Sequence, residues 1–314
     1  MIHCGASEST SCAKVSVIMP CFNHARFVVE GANAILRQSH ANLELIIVDD
    51  CSTDHSWDLI QGLAVSDRRV RPFRHEQNQG ASKSRNDGLR VAAGEFIGFC
   101  DADDIWEPQK MRCQLDLLEN NPTSDVVYCD TIIVDENGLP KGRLFSEYIP
   151  PPKPPSGSLF RNLIRRNFIN TQSVLMRKEC VQRVGYFDET IKWVEDWWYW
   201  IRVSRDHRFL YSPEPLARYR VHSQSTGFTQ KRGYCINRFK VFRRILRQYV
   251  DLPSSARAEI FYKMGVDLCQ LGKRQAGRRL LWDAVKMSMT DIRAFSTFCR
   301  AVRRMILKTC VLFS

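Results

Sequence analysis

This sequence predicts an α/β fold on a mostly parallel sheet flanked by helices, followed by an all-helical C-terminal extension. Three observations carry that reading. Short apolar runs alternate with stretches of helical spacing between residues 15 and 129, the pattern of repeated strand–helix–strand units. Two of those runs end in carboxylates, at Asp49-Asp50 and at Asp101-Ala102-Asp103-Asp104, which suggests one crevice at the strands' carboxyl ends. From residue 232 onward only helical spacing remains.

Residues 15–20 form the first strand, stopped by Pro20, with a turn at Phe22-Asn23-His24 and helical spacing over 27–37. Residues 43–48 are a second buried strand, and Ser52 and Thr53 are good caps for a helix through Leu63. A third strand over 70–73, a loop over 77–80 and a helix over 81–93 follow. Residues 95–100 are the fourth strand, too short an apolar run for a helix and followed by a break. Helical spacing over 111–119 leads to a fifth strand at 125–129, then a hairpin from 132–134 through Glu136-Asn137-Gly138. Residues 149–157 hold five prolines, which excludes regular structure and predicts a surface loop or lid. A short basic helix over 159–166, a strand over 171–176 and a helix over 178–184 ended by Gly185 come next. An aromatic-rich helix over 195–204 and an edge strand over 216–222 complete this part. Beyond it, about four helices are broken near Asp251-Leu252-Pro253, Gly272 and Thr290, and residues 265–284 resemble one helical hairpin.

The 314 residues suffice for one large domain or two ordinary ones, and 44% hydrophobic with 25% charged residues marks a globular chain. No apolar run reaches membrane-spanning length, and residues 1–10 lack the basic-then-apolar order of a secretory signal. The twelve cysteines are scattered without Cys-x-x-Cys spacing, which argues against a zinc or redox motif. Cys21, Cys100 and Cys129 read as small core residues, and reduced thiols in a cytoplasmic setting are expected. The net charge of +12 is uneven, with 19 Lys and Arg against 5 Asp and Glu from residue 231 on. No nucleic-acid module accompanies it, so no nucleic-acid partner is expected. Apolar residues interspersed with Arg300, Arg303, Arg304 and Lys308 over 295–313 suit either a packed terminal helix or peripheral contact with an anionic membrane.

Asp101 and Asp103 share a strand face if the strand continues, or converge on one ion if the chain turns. Clustered carboxylates repel, and a hard cation such as Mg²⁺ or Mn²⁺, shared with diphosphate oxygens, offsets that cost. The same residues also suit a solvated turn capping the helix near Pro108.

Six pieces, in order, resemble the family 2 glycosyltransferases of the GT-A group. They are Val17-Ile18-Met19-Pro20-Cys21-Phe22-Asn23; Glu44 through Asp54; Asn78 through Gly88; Phe99 through Asp104; Gly185-Tyr186-Phe187-Asp188 with Glu195-Asp196-Trp197; and Tyr219-Arg220-Val221-His222. Cys51 departs from the family's usual Gly. The resemblance implies a flexible start (1–13), a GT-A catalytic domain (14–228) and a basic helical region (229–314). It implies an inverting, metal-dependent transfer of a sugar from a nucleotide-diphosphate donor, UDP-linked by preference, to a glycan or lipid-linked hydroxyl, in polysaccharide or glycoconjugate synthesis.

On that resemblance the donor contacts are Pro20, Phe22, Asp49, Asp50, Arg85 and Asp101, with Arg85 near the phosphates. Asp103, Asp101 and His222 are the metal ligands for Mn²⁺ or Mg²⁺, and Arg220 and Ser225 are further diphosphate contacts. Asp196 is the catalytic base, with Glu195 and Trp197 toward the acceptor. The rival enzyme class, a sugar nucleotidyltransferase, needs a Gly-rich basic signature where this chain has Pro20-Cys21-Phe22-Asn23. An inactive sugar-binding protein is the non-enzyme rival, against which Asp101, Asp103 and Asp196 stand.

Overall fold

The computed structural model describes residues 12–148, 155–223, 225 and 231–289. The expectations for the 295–313 segment, for a helix beyond Thr290, for most of the proline-rich loop and for residues 1–11 lie outside them. The chain divides into two compact units, residues 1–160, 168–189 and 195–223 in the first and 161–167, 190–194 and 224–314 in the second.

Nine strands of the first unit make one sheet in the order β3-β2-β1-β4-β8-β6-β9-β5, with β7 beside β6. They are β1 (Val15–Cys21), β2 (Leu43–Asp49), β3 (Val70–Arg74), β4 (Phe96–Phe99), β5 (Ile105–Trp106), β6 (Val126–Val134), β7 (Pro140–Leu144), β8 (Val174–Arg177) and β9 (Phe209–Arg220). β3, β2, β1 and β4 run parallel, so the chain ends of β1, β2 and β4 share one edge of the sheet. β8 enters antiparallel between β4 and β6, and β6 pairs parallel with β9.

Side-chain alternation divides the first strands between two layers. Val15, Val17 and Met19 join Leu45 and Ile47 in a core covered by α1 (Val28–Leu36), α2 (Ser56–Ser66) and α4 (Lys110–Glu119). Ile18 faces the other way, where α3 (Ala81–Val91) lies so close that a Cβ on Gly88 would stand 2.5 Å from it. Phe99 pairs with Ile18 across β1 and β4, and on the same face it meets Phe187 and Trp200 of α7 (Glu195–Asp206), whose tryptophans are core. The small helix α6 (Lys178–Val184) completes this part, while α5 (Phe160–Leu163) runs from its residue 160 into the second unit.

Three elements differ from the sequence reading. The strand over 125–129 and the hairpin arm over 132–134 are one strand, β6, because Asp130 is accommodated inside it by Ser146 and the Tyr211 hydroxyl. β9 starts at Phe209, seven residues before the expected edge strand, and its prolines sit where the β6–β9 register shifts, so no ladder bond is required of them. The short β5 carried no sequence signal; pairing with β9 creates it. Cys21, Cys100 and Cys129 are buried as expected, and burial pushes the Cys21 thiol up to about 12. No helix among the described residues is long and apolar enough to cross a membrane.

In the second unit, α8 (Lys231–Gln248), α9 (Ser254–Gln270) and α10 (Arg274–Met289) follow one another. α9 and α10 pack as the hairpin that the spacing predicts. Gly265 and Gly277 let their backbones meet, since a Cβ on either would lie within 3 Å of the other's carbonyl oxygen.

Glu44 clamps the edge opposite the site. It accepts hydrogen bonds from Ser16 Oγ (2.6 Å), the Ala93 amide (2.7 Å) and Arg71 (2.9 Å), with Lys14 3.3 Å away. Burial alone would raise its pKa, but these donors outweigh burial and lower it from 4.5 to about 2. Its contribution to stability is complete above pH 4.5 and is lost as the pH falls toward 2. Glu44→Gln is therefore expected to cost up to about 3 kcal/mol at neutral pH. Chemical denaturation across pH should show the gap between variant and parent closing below pH 4.5.

Candidate functional site

At the shared strand edge the chain leaves β1 and β2 through two loops that lock together. The Asn23 amide donates to Ser52 Oγ, the His24 amide to Ser56 Oγ and the Ala25 amide to Asp54 Oδ2, while Asn23 Oδ1 accepts from the Thr53 amide. Asn23 and Cys51 carry φ of 55° and 64°, left-handed values that favour Gly, which is why the family's Gly suits position 51. Phe22 stands 42% exposed at the end of β1, whereas Pro20 is buried within the strand.

The two aspartates after β2 differ in kind. Asp50 accepts from the Gln79 and Gly80 amides and lies 2.7 Å from His75 Nδ1, so it holds the loop that starts α3. Both of its oxygens are thus engaged within the fold. Asp49 accepts from the Ser52 amide through Oδ2, while its buried Oδ1 has no partner.

Arg85 lies one turn into α3 and is buried. It donates through Nη2 to Asp101 Oδ1 (2.7 Å) and through Nη1 to Glu195 Oε1 (2.9 Å). Burial disfavours its charge, but Asp101 and then Glu195 outweigh that and raise its pKa. The guanidinium expected near phosphates thus joins the turn after β4 to the start of α7. Asn86 beside it clasps the backbone of Phe187, accepting from its amide (2.8 Å) and donating to its carbonyl (3.0 Å). Sequence reasoning missed Asn86, although it sits inside the segment quoted for the resemblance.

The turn after β4 is held from below. Gly31 of α1 passes so close that a Cβ there would lie 3.0 Å from the carbonyl oxygens of Ala102 and Asp104. Asp104 is buried and accepts the Arg220 amide; burial, then Asp103 and Asp101, push its pKa well up. Arg220 donates to the carbonyls of Asp103 and Glu136 and to Glu30 Oε2 (2.6 Å). Its guanidinium is a strut that ties the end of β9 to the turn after β4 and to α1.

Asp103 points elsewhere, with Oδ2 3.0 Å from His222 Nε2. A ring nitrogen of His24 completes a group whose ligand atoms all lie within 4.8 Å of one another. Burial raises the Asp103 pKa, but the hydrogen bond with His222 and the nearby His24 outweigh it and bring it below its ordinary value. Among the described residues Asp101 is not part of this group; its Oδ1 faces Arg85.

Asp196 opens α7, with Oδ1 accepting the Trp197 amide (2.6 Å) and Oδ2 facing the Thr171 hydroxyl at 3.4 Å. Burial, and after it the nearby Asp104, Asp103, Asp101 and Asp196, raises the pKa of Tyr219, a second residue that sequence reasoning left without a role. Trp197 is only 3% exposed. Its side chain lies within the core.

A family model described as Glycosyl transferase family 2 matches residues 16–185. An uncharacterised glycosyltransferase of Rickettsia bellii is 29% identical over 224 residues, 71% of this chain and 31% of that protein. The chain spans about a third of the length of the first curated relatives it matches, which include one from Rickettsia felis at 35%. The putative teichuronic acid biosynthesis glycosyltransferase TuaG of Bacillus subtilis is 39% identical over 104 residues, 33% of this chain and 41% of that one. Among solved structures, S. aureus TarS 1–349 in complex with UDP-GlcNAc has a TM-score of 0.66 at 17% identity, over 94% of this chain and 92% of that one. The mannosyltransferase PcManGT of Pyrobaculum calidifontis, in complex with GDP-Man and Mn²⁺, has a TM-score of 0.60 at 16% identity, over 94% and 87%. These likenesses bear out the GT-A type of α/β fold.

Replacing Arg85 leaves Asp101 and Glu195 facing each other without a cation. Arg85→Met is expected to destabilise the first unit by about 3–5 kcal/mol, the cost of breaking a buried pair from one side. Arg85→Lys should recover only part of that, since a point charge cannot reach two carboxylates as a planar fork does. Urea denaturation of the three proteins checks both statements.

Proposed function

The chain belongs to glycosyl transferase family 2, and from that premise we propose that it is an inverting glycosyltransferase that moves a sugar from a uridine-diphosphate donor to a hydroxyl group. The observation that carries this reading is the Arg85 bridge. By joining the Asp101 turn to the start of α7, it ties the turn that carries the donor-side carboxylates to the helix start that carries Asp196.

Asp49 reads the base. An unpartnered buried acceptor costs about 1–3 kcal/mol, and the N3–H of uracil is a donor that meets it. The exposed ring of Phe22 ends the neighbouring strand and offers the base an apolar face. The TarS likeness, with its bound UDP-GlcNAc, supports a uridine donor, and the PcManGT likeness makes guanosine the base to test against.

The residues fit a divalent ion. Asp103 and His222 supply a carboxylate and an imidazole 3.0 Å apart, and Asp101, with its side chain 36% exposed, supports them from the same turn. These residues would hold Mn²⁺ or Mg²⁺, which would supply positive charge to offset the charge developing on the departing diphosphate.

On the acceptor side Asp196 is the base. The acceptor oxygen bonds to the anomeric carbon from the face opposite the diphosphate, whose bond to that carbon breaks, and Asp196 takes the hydroxyl proton. The Trp197 amide and the Thr171 hydroxyl orient the carboxylate, and the helix N-terminus favours its negative charge. Glu195 keeps its buried Oε2 without a partner, which supports a contact with the acceptor beside its ion pair with Arg85. The hydroxyl belongs to a glycan or lipid-linked acceptor, and the likeness to TuaG, named for teichuronic acid biosynthesis, supports a role in polysaccharide synthesis.

Asp196→Asn is expected to lower kcat with a UDP-sugar by about 10²–10⁴-fold while donor affinity stays unchanged. Turnover at the parent rate, or lost donor binding, would refute the assignment. In calorimetric titrations with Mn²⁺, UDP should bind more tightly than GDP, and Asp49→Ala should erase that preference. Equal affinity of the parent protein for the two nucleotides rules out the uridine reading.

A further inference from the structure

His24 lies in the turn after β1, far in sequence from the carboxylate turn and from His222. Its backbone is fixed on both sides. Ser56 Oγ holds its own amide at 2.9 Å, and Ser52 and Asp54 hold those of Asn23 and Ala25. Its ring stands edge-on to His222 with centroids 6.0 Å apart, and Phe27 walls both imidazoles, at 6.2 and 5.1 Å. A turn that is locked this firmly directs the ring rather than leaving it to solvent.

Two of the three groups have the spacing of adjacent ligands, and the third lies close by. Two ligand atoms about 2.1 Å from an octahedral ion stand about 3.0 Å apart when adjacent and about 4.2 Å when opposite. Asp103 Oδ2 and His222 Nε2 are 3.0 Å apart, and no pair in the group with His24 exceeds 4.8 Å. Asp101, the expected second carboxylate, is turned away by Arg85.

We propose that His24 is a third protein ligand of the metal, so that two imidazoles and one carboxylate hold the ion and select Mn²⁺, Co²⁺ or a similar transition metal over Mg²⁺. This rests on the metal reading above. The physical reason is donor type. Neutral imidazole suits transition ions, whereas Mg²⁺ prefers oxygen donors and gives up its waters reluctantly. Three protein ligands leave the remaining positions of an octahedral ion for diphosphate oxygens and water.

The test measures metal binding to the full chain, stripped with chelator, in the presence of UDP. For the parent protein, Mn²⁺ should bind well ahead of Mg²⁺, and the Mn²⁺ resonance should carry nitrogen hyperfine couplings from two imidazoles. Loss of a second-layer partner typically costs about 10–100-fold in metal affinity, so loss of a direct ligand in His24→Ala should weaken Mn²⁺ at least about tenfold. Mg²⁺ should weaken far less, and one nitrogen coupling should vanish. His24→Asn, which keeps the backbone bonds of the turn, should behave like His24→Ala, and circular dichroism checks that both are folded. Unchanged Mn²⁺ affinity and couplings in folded His24→Ala, alongside lost binding in Asp103→Asn, would overturn the role of His24 and leave the metal reading standing. A parent protein that binds neither ion with UDP present would overturn both.

Discussion

The first unit is organised around one buried cation. Arg85 contacts carboxylates that are 94 residues apart in the chain, Asp101 after β4 and Glu195 at the start of α7, and it has almost no access to water. A buried guanidinium needs both partners, and each carboxylate needs the guanidinium. The turn that carries Asp103 and the helix start that carries Asp196 are therefore tied to one another by a single group. The aromatic packing of Phe99, Phe187, Tyr199 and Trp200 lies along the same face and keeps α7 in place for that contact.

A second constraint fixes the other side of the crevice. The loops after β1 and β2 satisfy each other's backbone amides with short polar side chains, and Asp50 does the same for the loop before α3. Loops bonded in this way behave as part of the scaffold. That leaves Asp49, Phe22 and His24 as groups held at fixed positions, and the proposed reading of base and metal draws on them. The apparent surplus of acidic residues after β4 divides by the same logic. Asp104 belongs to the fold, Asp101 faces Arg85, and Asp103 turns to the histidines.

Much of the fold was legible because its signals are local. The parallel strands, the helix ending at Gly185, the helix opening at Glu195 and the α9–α10 hairpin all follow from periodicity and from residues with restricted backbones. The places where the sequence misled are those where a distant partner overrides a local signal. Asp130 reads as a strand breaker until Ser146 and Tyr211 satisfy it, and the prolines of β9 read as breaks until a register shift accommodates them.

By itself, then, the sequence determined which strands carry carboxylates at their ends and which helix opens with Glu195-Asp196, since both depend only on the order of neighbouring residues. Only the tertiary structure decided how those groups divide their work. That Arg85 holds two carboxylates, that Arg220 is a strut, that Asp50 binds backbone and that His24 stands beside Asp103 and His222 are contacts across long separations. A polar side chain in a crevice takes the partner that relieves its desolvation best. That partner is chosen by the packing of the sheet and its helices, which no local pattern encodes.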